Sequence, residues 1–192
     1  MQVRRATEKD VDAAVRTLAR AFEDYPMTRM GLDPDHYLDR LTQYQRLFLT
    51  RIGLPHGRVW VTSDVSAVAV WTTPATPPHA FAPHADAFKE LAGSRAELAA
   101  EYEQAMGIFR PREPVWFLAL VGVDPDRRSQ GLGRAVITPG LATADADHSA
   151  AFLETQEPAN LGFYESLGFT VIAELELPHR GPIHYAMYRA PR

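Results

Sequence analysis

The spacing of apolar residues predicts helices in several parts of the chain. Val11, Val15 and Leu18 recur at intervals of three or four residues, which places them on one face of a helix. Thr7, with Asp10 three residues later, is a capping-box pattern that marks the start of this helix. The predicted helices cover residues 11–22, 34 to about 51, 88–109 with a break near residue 93, 134 to about 144, and a short segment that begins at residue 160.

Strand patterns occupy the segments between these helices. Residues 116–123 are a continuous apolar run, too short to cross a membrane and typical of a strand buried on both faces. The order of elements is β-α-α-β-β-α-β-α-β-α-β-β, which predicts an α/β (α+β) fold with a mixed sheet and helices on both faces. The other predicted strands are residues 2–6, 59–61, 65–73 and 151–155, and one strand on each side of residues 178–182.

A charged, glycine-rich loop follows the run at residues 116–123 and leads into a helix. It contains Arg127, Arg128, Gly131 and Gly133. A glycine-rich turn at a helix start points several unpaired backbone N–H groups at one place, where the helix dipole is positive. The sequence therefore predicts an anion site here, suited to a pyrophosphate.

Two known kinds of phosphate loop are alternatives. A Walker loop needs Gly-Lys-Ser/Thr, which the chain lacks. A dinucleotide fingerprint is closer, because Gly131 and Gly133 have its spacing and Glu154 lies about twenty residues further on. That fingerprint follows its strand at once, whereas a charged turn separates Val123 from Gly131. It also belongs to repeated βαβ units, for which the chain has no room.

Two short motifs flank the strand predicted at residues 151–155. The first is Arg128-Ser-Gln-Gly-Leu-Gly, and the second is Asn160-Leu-Gly-Phe-Tyr-Glu-Ser-Leu-Gly-Phe. In this order they resemble the Gcn5-related N-acetyltransferase (GNAT) family. More narrowly, the chain resembles the branch of that family that acetylates puromycin, in residues 22–26, 47–51, 68–74 and 152–155.

The resemblance implies a fold and an acetyl donor. The fold is a mostly antiparallel sheet of six or seven strands with a splayed central pair, and the donor is acetyl-CoA. Its diphosphate would bind the loop, and its pantetheine arm would pair with the central strand's edge, where a bulge at Gly122 would open a slot. The residues so implied are Leu120, Val121, Val123, Arg128, Ser129, Gln130, Gly131, Leu132, Gly133, Arg134, Asn160 and Tyr164. Asn160 also fits a plain helix cap.

Tyr164 and Glu154 are the catalytic candidates. The resemblance implies that Tyr164 gives a proton to the departing thiolate. A phenol with a pKa of about 10 protonates a thiol with a pKa of about 8.5 uphill by roughly 2 kcal/mol, so its hydrogen bond matters as charge builds on sulfur. Glu154 is the nearest acid to the central strand, and it fits a base or a paired strand-end carboxylate. With no base, a weakly basic amine, already about a tenth neutral at pH 7, would lose its proton to water.

An acceptor pocket is expected between the first helices, the last strands, and the proline- and histidine-rich loop at residues 74–84. This loop is expected to be mobile or to form a flap. Trp71 also fits a role in the core, and Asp24 a helix end. The candidates for holding a small cationic, partly aromatic amine are Asp24, Tyr25, Trp71 and Tyr185.

Composition narrows the class of protein. With 192 residues, 46% of them hydrophobic, the chain is expected to form a single domain over residues 1–192 with a sizeable core. Having no cysteine excludes disulfides, thiolate metal sites and cysteine nucleophiles, and no metal site is expected from the seven histidines. A formal net charge of −4 argues against nucleic-acid and anionic-membrane partners. With no apolar leader and no membrane-length run, a cytoplasmic protein is expected.

The sequence predicts an acetyl-CoA-dependent N-acetyltransferase that acts on a small-molecule amine, such as the antibiotic puromycin or a related metabolite. The amine would attack the thioester directly. The alternatives are a protein N-terminal or lysine acetyltransferase, and a non-catalytic acyl-CoA-binding module that would not need Tyr164. Both a monomer and a homodimer fit the sequence.

Overall fold

A seven-stranded mixed sheet organises the chain, in a computed structural model that describes residues 2–192. The strands are β1 (Val3–Arg5), β2 (Arg58–Thr62), β3 (Ala67–Thr72), β4 (Trp116–Val123), β5 (Ala151–Thr155), β6 (Thr170–Glu176) and β7 (Ile183–Arg189). Their order across the sheet is β1-β2-β3-β4-β5-β7-β6. Neighbours pair antiparallel except β4 and β5, which run parallel. The predicted mostly antiparallel α/β fold is confirmed.

Helices cover both faces of this sheet. They are α1 (Val11–Phe22), α2 (Pro26–Gly31), α3 (Tyr37–Phe48), α4 (Leu54–His56), α5 (Ala85–Ala92), α6 (Ala96–Gly107), α7 (Leu132–Ala146) and α8 (Leu161–Glu165), and a π-helical turn, Leu49–Gly53, extends α3. Alternate residues of β3 separate the two faces, since Trp71 packs with α7 and α8 whereas Val70 packs with α1 and α3. None of these helices, all within residues 2–192, is long and apolar enough to cross a membrane.

Some element boundaries depart from the prediction. A short helix, α2, occupies a stretch where the sequence predicted only a break, because Pro26 at its first position has the backbone angle that a helix start requires. The helix α3 begins at Tyr37 rather than residue 34. The Asp33 side chain accepts the N–H of Asp35 at 2.9 Å and so closes a turn ahead of the helix.

The strands β4 and β5 pair only near their first residues and then diverge. The last pair is Leu118 with Leu153, and beyond it β4 pairs with β3 on one side and with no strand of residues 2–192 on the other. We call this opening between β4 and β5 the slot. The splayed central pair is confirmed.

The bulge that accompanies the slot lies at Ala119 and not at Gly122. Val70 pairs with Leu120 while its neighbour Trp71 pairs with Leu118, which leaves Ala119 as the extra residue. The expectation for Gly122 was therefore wrong.

Gly122 instead permits a close approach of α1. A Cβ atom at this position would lie 2.9 Å from Cβ of Ala21 and 3.0 Å from a methyl group of Leu18. The glycine therefore lets the helix rest directly on β4.

The loop at residues 74–84 packs against the protein rather than forming a free flap. Thr76 Oγ1 donates to the carbonyl oxygen of His56 at 2.8 Å, and Ala80 is buried in the core beneath α1 and α3. The ring of Phe81 lies 5.9 Å from that of Phe48. These contacts hold the loop on the α3 side of the sheet.

Candidate active site

The chain makes a tight, charged turn between β4 and α7. The side chain of Asp124 accepts the N–H of Asp126 at 3.0 Å, and its carbonyl oxygen accepts the N–H of Arg127 at 2.8 Å. Ser129 and Gly131 have φ angles of 61° and 75°, in the left-handed region that glycine adopts without strain. Gly131 is the N-cap of α7. We call residues 124–134 the anion loop.

The backbone N–H groups of residues 129–134 have no acceptor in the described part of the chain. The N–H of Ala135 is the first that is used, and it donates to the Gly131 oxygen at 3.0 Å. The first amides of a helix lack intrahelical partners and lie at the positive end of its dipole. Consecutive free amides here fit a diphosphate, as the sequence predicted.

The two adjacent arginines of the anion loop have different surroundings. Arg127 lies 3.2 Å from an Asp64 oxygen and donates to the Gln130 side chain at 3.2 Å. Arg128 is exposed and makes no ion pair or hydrogen bond with any residue in the range 2–192. Arg128 is therefore the guanidinium of this pair that is free to meet an anion.

The unpaired edge of β4 continues directly into the anion loop. Leu120, Val121 and Val123 are half-buried on this edge. An exposed strand edge can hydrogen-bond the amides of an extended ligand, as another strand would. The slot thus fits an arm that carries amides and ends in a diphosphate, which is the chemistry of coenzyme A.

Helix α8 closes the slot near the anion loop. A Cβ atom on Gly133 would lie 3.6 Å from both the Phe163 ring and a Val123 methyl group, so α8, the start of α7 and the end of β4 converge here. Arg134 links α7 to α8 by donating to Ser166 Oγ at 2.5 Å. Packing of α8 against α7 and β4 therefore forms this wall of the slot.

Tyr164 on α8 is buried, with 6% of its surface exposed. Its ring packs edge-on against Phe169, at 6.3 Å between centroids, in the core under α7. Burial raises its pKa, and the nearby phenol of Tyr25 raises it further. Tyr164 is therefore protonated at neutral pH, as a proton donor must be.

Asn160 directly precedes α8, as the sequence predicted. Its side chain makes no capping hydrogen bond to the helix. The backbone N–H of Asn160 instead donates to the Glu157 oxygen at 3.0 Å in a preceding short turn. The plain capping role is thus wrong, and the amide side chain is available for a ligand.

Glu154 lies in an ion pair. Its two oxygens accept from Nε and Nη2 of Arg110 at 2.8 and 2.9 Å. Arg110 also pairs with Glu103 and lies 5.7 Å from the centre of the Phe117 ring. Of the two roles that the sequence left open, the geometry matches the paired strand-end carboxylate. No local pattern in the sequence had pointed to Arg110 as the partner.

Tyr25 meets the end of β5. Its hydroxyl lies 3.2 Å from Thr155 Oγ1 and 3.0 Å from Gln156 Oε1, and it accepts the Gln156 N–H at 2.9 Å. Tyr185 pairs with Thr155 from the adjacent strand and is buried. Two of the acceptor candidates are thus brought together at this end of the slot. We call residues 154–157 the β5 terminus.

The other two acceptor candidates lie elsewhere. Trp71 is completely buried and contacts Gly140 of α7, so its indole fills the core and cannot touch a ligand. The Asp24 side chain is 89% exposed and pairs with Arg29 at 2.8 Å. The expectation that Trp71 lines the pocket was wrong, because strand β3 turns that side chain toward α7.

Sequence reasoning missed Gln156 and His184. Gln156 Nε2 donates to His184 Nδ1 at 2.8 Å and lies 3.6 Å from the Met106 sulfur. His184 is fully buried, and burial lowers its pKa. Gln156 directly follows β5, and His184 precedes Tyr185, the partner of Thr155 on β7. The contact therefore follows from this strand pairing, which no local sequence pattern indicates.

Residues 95–171 match the family model of the acetyltransferase (GNAT) domain. A mycothiol acetyltransferase of Thermobispora bispora is 40% identical over 60 residues, which are 30% of this chain and 20% of that protein. The chain thus spans about a fifth of that relative. The peptidyl-lysine N-acetyltransferase YjaB of Salmonella typhimurium is 28% identical over 100 residues, which are 43% of this chain and 68% of that protein.

A solved structure is similar along the whole chain. It is the histone acetyltransferase HPA2 and related acetyltransferase from Corynebacterium glutamicum, with a TM-score of 0.75 and 24% identity over 100% of this chain and 96% of that one. The family match contains β4, the anion loop, β5 and α8, which together form the slot. Residues 95–171 are therefore similar to the GNAT acetyltransferase domain, and along its whole length the chain has the fold of a solved acetyltransferase.

Proposed function

We propose that the protein transfers the acetyl group of acetyl-CoA to the amine of a small molecule. The observation that carries this proposal is the continuity of the free amides at residues 129–134 with the unpaired edge of β4. A diphosphate and a run of amides are found together in coenzyme A. The convergence of α8 on the same slot brings Tyr164 into the proposal as its catalytic residue.

The donor would be held by two kinds of contact. The amides of the anion loop and the Arg128 guanidinium would bind the diphosphate, with charge-assisted hydrogen bonds from the arginine. The edge of β4 at Leu120, Val121 and Val123 would align the arm. Asn160, whose side chain makes no cap, would contact the same arm from α8.

Bound acetyl-CoA supplies a thioester whose C–S bond breaks as the new C–N bond forms. Tyr164 Oη donates a hydrogen bond to the sulfur, gives it the proton as the thiolate departs, and recovers a proton from solvent. Because burial raises the pKa of Tyr164, this transfer is uphill, and the phenol acts mainly by stabilising charge on sulfur. The amine nitrogen releases its own proton to water, and positioning supplies most of the acceleration.

The charge near the β5 terminus favours a cationic acceptor. Three carboxylates and one guanidinium make this cluster negatively charged. They are Glu103, Glu154, Glu157 and Arg110. Burial raises the pKa of Tyr25, and the charges of Glu157 and Glu154 add to the rise, so the negative field reaches this phenol. An ammonium group would be attracted to this end of the slot, where Tyr25 and Tyr185 would line its site.

The finer proposal is that the acceptor is an antibiotic such as puromycin or a related metabolite. It is supported by the resemblance of residues 22–26 and 152–155 to puromycin-acetylating enzymes. Residues 25 and 154–155 of these segments belong to the acceptor end of the slot. A peptide acceptor is the second candidate, favoured by the similarity to a peptidyl-lysine N-acetyltransferase.

Mass spectrometry of reaction products tests both candidates. Purified protein and acetyl-CoA are incubated with puromycin, a diamine, a peptide with a free N-terminus and a lysine peptide. Acetylation of a small amine supports the proposal, and acetylation of peptides alone favours the second candidate. Binding of acetyl-CoA with no product from any acceptor would mark a binding module and contradict the proposal.

A further inference from the structure

The hydroxyl of Tyr25 has a defined polarity. A phenol has one proton to donate and lone pairs that accept. The backbone N–H of Gln156 donates to the Tyr25 oxygen at 2.9 Å, while the side-chain oxygen of the same residue accepts at 3.0 Å. The Gln156 side-chain oxygen can only accept, and it lies closer to the phenol than Thr155 Oγ1 does, at 3.0 against 3.2 Å, so the phenol donates its hydrogen bond to Gln156. This points the phenol proton away from the oxygen's other lone pair.

The orientation of the Gln156 amide is fixed by the contacts of its nitrogen with His184 and Met106. Its Nε2 donates to Nδ1 of His184 at 2.8 Å and has the Met106 sulfur at 3.6 Å, so both partners of this nitrogen are acceptors. His184 is fully buried, and Gln156 is 6% exposed. Burial lowers the pKa of His184, which favours the neutral ring. Because the amide nitrogen of Gln156 can only donate, Nδ1 is the ring nitrogen that accepts in this pair.

Thr155 makes the weakest contact with the phenol. Its Oγ1 lies 3.2 Å from the Tyr25 oxygen, longer than both Gln156 contacts, and it also accepts the Glu157 N–H at 3.2 Å. Rotation of this hydroxyl would leave one lone pair of Tyr25 for an incoming donor. The site lies beyond the last β4–β5 pair, at the acceptor end of the slot.

We propose that Gln156, held by His184, is a positioning residue for the acceptor amine. Because Gln156 accepts the hydrogen bond of the phenol, the Tyr25 oxygen is left to accept an N–H of that amine. The two phenols then have opposite tasks, since Tyr164 donates to sulfur and Tyr25 accepts from nitrogen. This inference rests on the proposed acetyl transfer. It selects acceptors with an N–H to give, which include primary and secondary amines.

Two substitutions of Gln156 of similar size test the inference. In Gln156→Met the shape is kept and both polar atoms are lost, so the KM for the amine should rise roughly three- to tenfold, as expected for one buried hydrogen bond. The KM for acetyl-CoA should stay the same. Gln156→Glu keeps an oxygen for the Tyr25 proton and can pair with a protonated His184, so it should restore the amine KM to within about twofold.

Coupling to Tyr25 separates positioning from general structural support. If Gln156 acts through the phenol, Gln156→Met should add little to the amine KM in a Tyr25→Phe background. Additive effects, equal losses in Gln156→Met and Gln156→Glu, or a parallel rise in the acetyl-CoA KM would overturn the inference. Wild-type protein that acetylates no amine would overturn the proposed function as well, whereas unchanged kinetics in active Gln156→Met would overturn this inference alone.

Discussion

The two ends of the slot satisfy their polar groups in opposite ways. At the anion loop, the amides of residues 129–134 and the Arg128 guanidinium have no partners within the described chain. At the β5 terminus, Tyr25 and Gln156 are joined to their neighbours by several hydrogen bonds, and Glu154 is joined to Arg110. One end is open to a ligand, and the other is a preformed network.

The difference follows from solvent exposure. Amides at an exposed helix start are hydrated, so leaving them unpaired costs little until an anion replaces the water. Thr155 and Gln156 at the β5 terminus are buried, so each of their polar groups that stayed unpaired would cost about 1–3 kcal/mol. The anion loop can therefore keep its amides unpaired until a ligand binds. The β5 terminus must form its hydrogen bonds within the protein, so its binding properties change only when its side chains change.

The largest effect is expected at Tyr164, the proposed catalytic residue on α8. Tyr164→Phe would remove the proposed hydrogen bond to sulfur and should lower kcat about a hundredfold, near the lower limit for a proton donor because its pKa is raised. Initial rates of thiol release measure this. Tyr188→Phe, on the same sheet and away from the slot, is the control and should retain its rate. A loss of less than threefold in Tyr164→Phe would remove the catalytic role.

The open end can be tested with its adjacent arginines. Arg128→Gln should raise the KM for acetyl-CoA roughly ten- to a hundredfold, because charge-assisted hydrogen bonds to a diphosphate are lost. Arg127→Gln is the matched control and should change this KM less than threefold, since Arg127 is already paired with Asp64. Equal effects of the two substitutions would contradict the assignment of the free cation.

The dependence of rate on pH should reflect the pKa of the acceptor amine and not the titration of a group in the β5 terminus. With no protein base, kcat/KM for the amine should rise about tenfold per pH unit up to the pKa of the amine and then level off. No fall is expected below about pH 10, because the pKa of Tyr164 is raised above its usual value and the phenol stays protonated. A profile that falls near pH 8 would contradict this role of Tyr164.

The smallest kinetic effect is expected at Glu154. Glu154→Gln weakens the pair with Arg110, so it should lower Tm by a few degrees, for a loss of about 1–2 kcal/mol, while kcat changes less than threefold. Glu103→Gln, which weakens the same arginine's more exposed contact, is the control for Tm. A hundredfold fall of kcat in Glu154→Gln would instead identify Glu154 as the base.

The sequence predicts the donor end better than the acceptor end, for a physical reason. A loop that binds with backbone amides needs glycines and a helix start, and Gly131 at a φ of 75° meets such a need. The pattern of the strands also predicted the sheet. The β5 terminus depends on contacts between side chains that are distant in sequence. No local pattern indicated that Arg110 would contact Glu154. The same holds for His184 and Gln156.

Apolar residues were also ambiguous at the sequence level. Trp71 fitted a ligand pocket or the core, and the direction of one side chain on β3 decided for the core. Gly122 fitted a bulge, whereas its actual requirement is contact with Ala21 of another element. Both outcomes depend on packing between distant segments, which spacing along the chain does not encode.

The divergence of β4 from β5 separates the sheet into two blades, β1–β4 and β5–β7–β6. The blades are joined only where Trp116, Phe117 and Leu118 of β4 pair with β5. A ligand that fills the slot would act as a removable eighth strand and fasten the blades together. Hydrogen–deuterium exchange at residues 119–123 should therefore slow when acetyl-CoA is added, and the protein should melt at a temperature that rises with the concentration of this ligand.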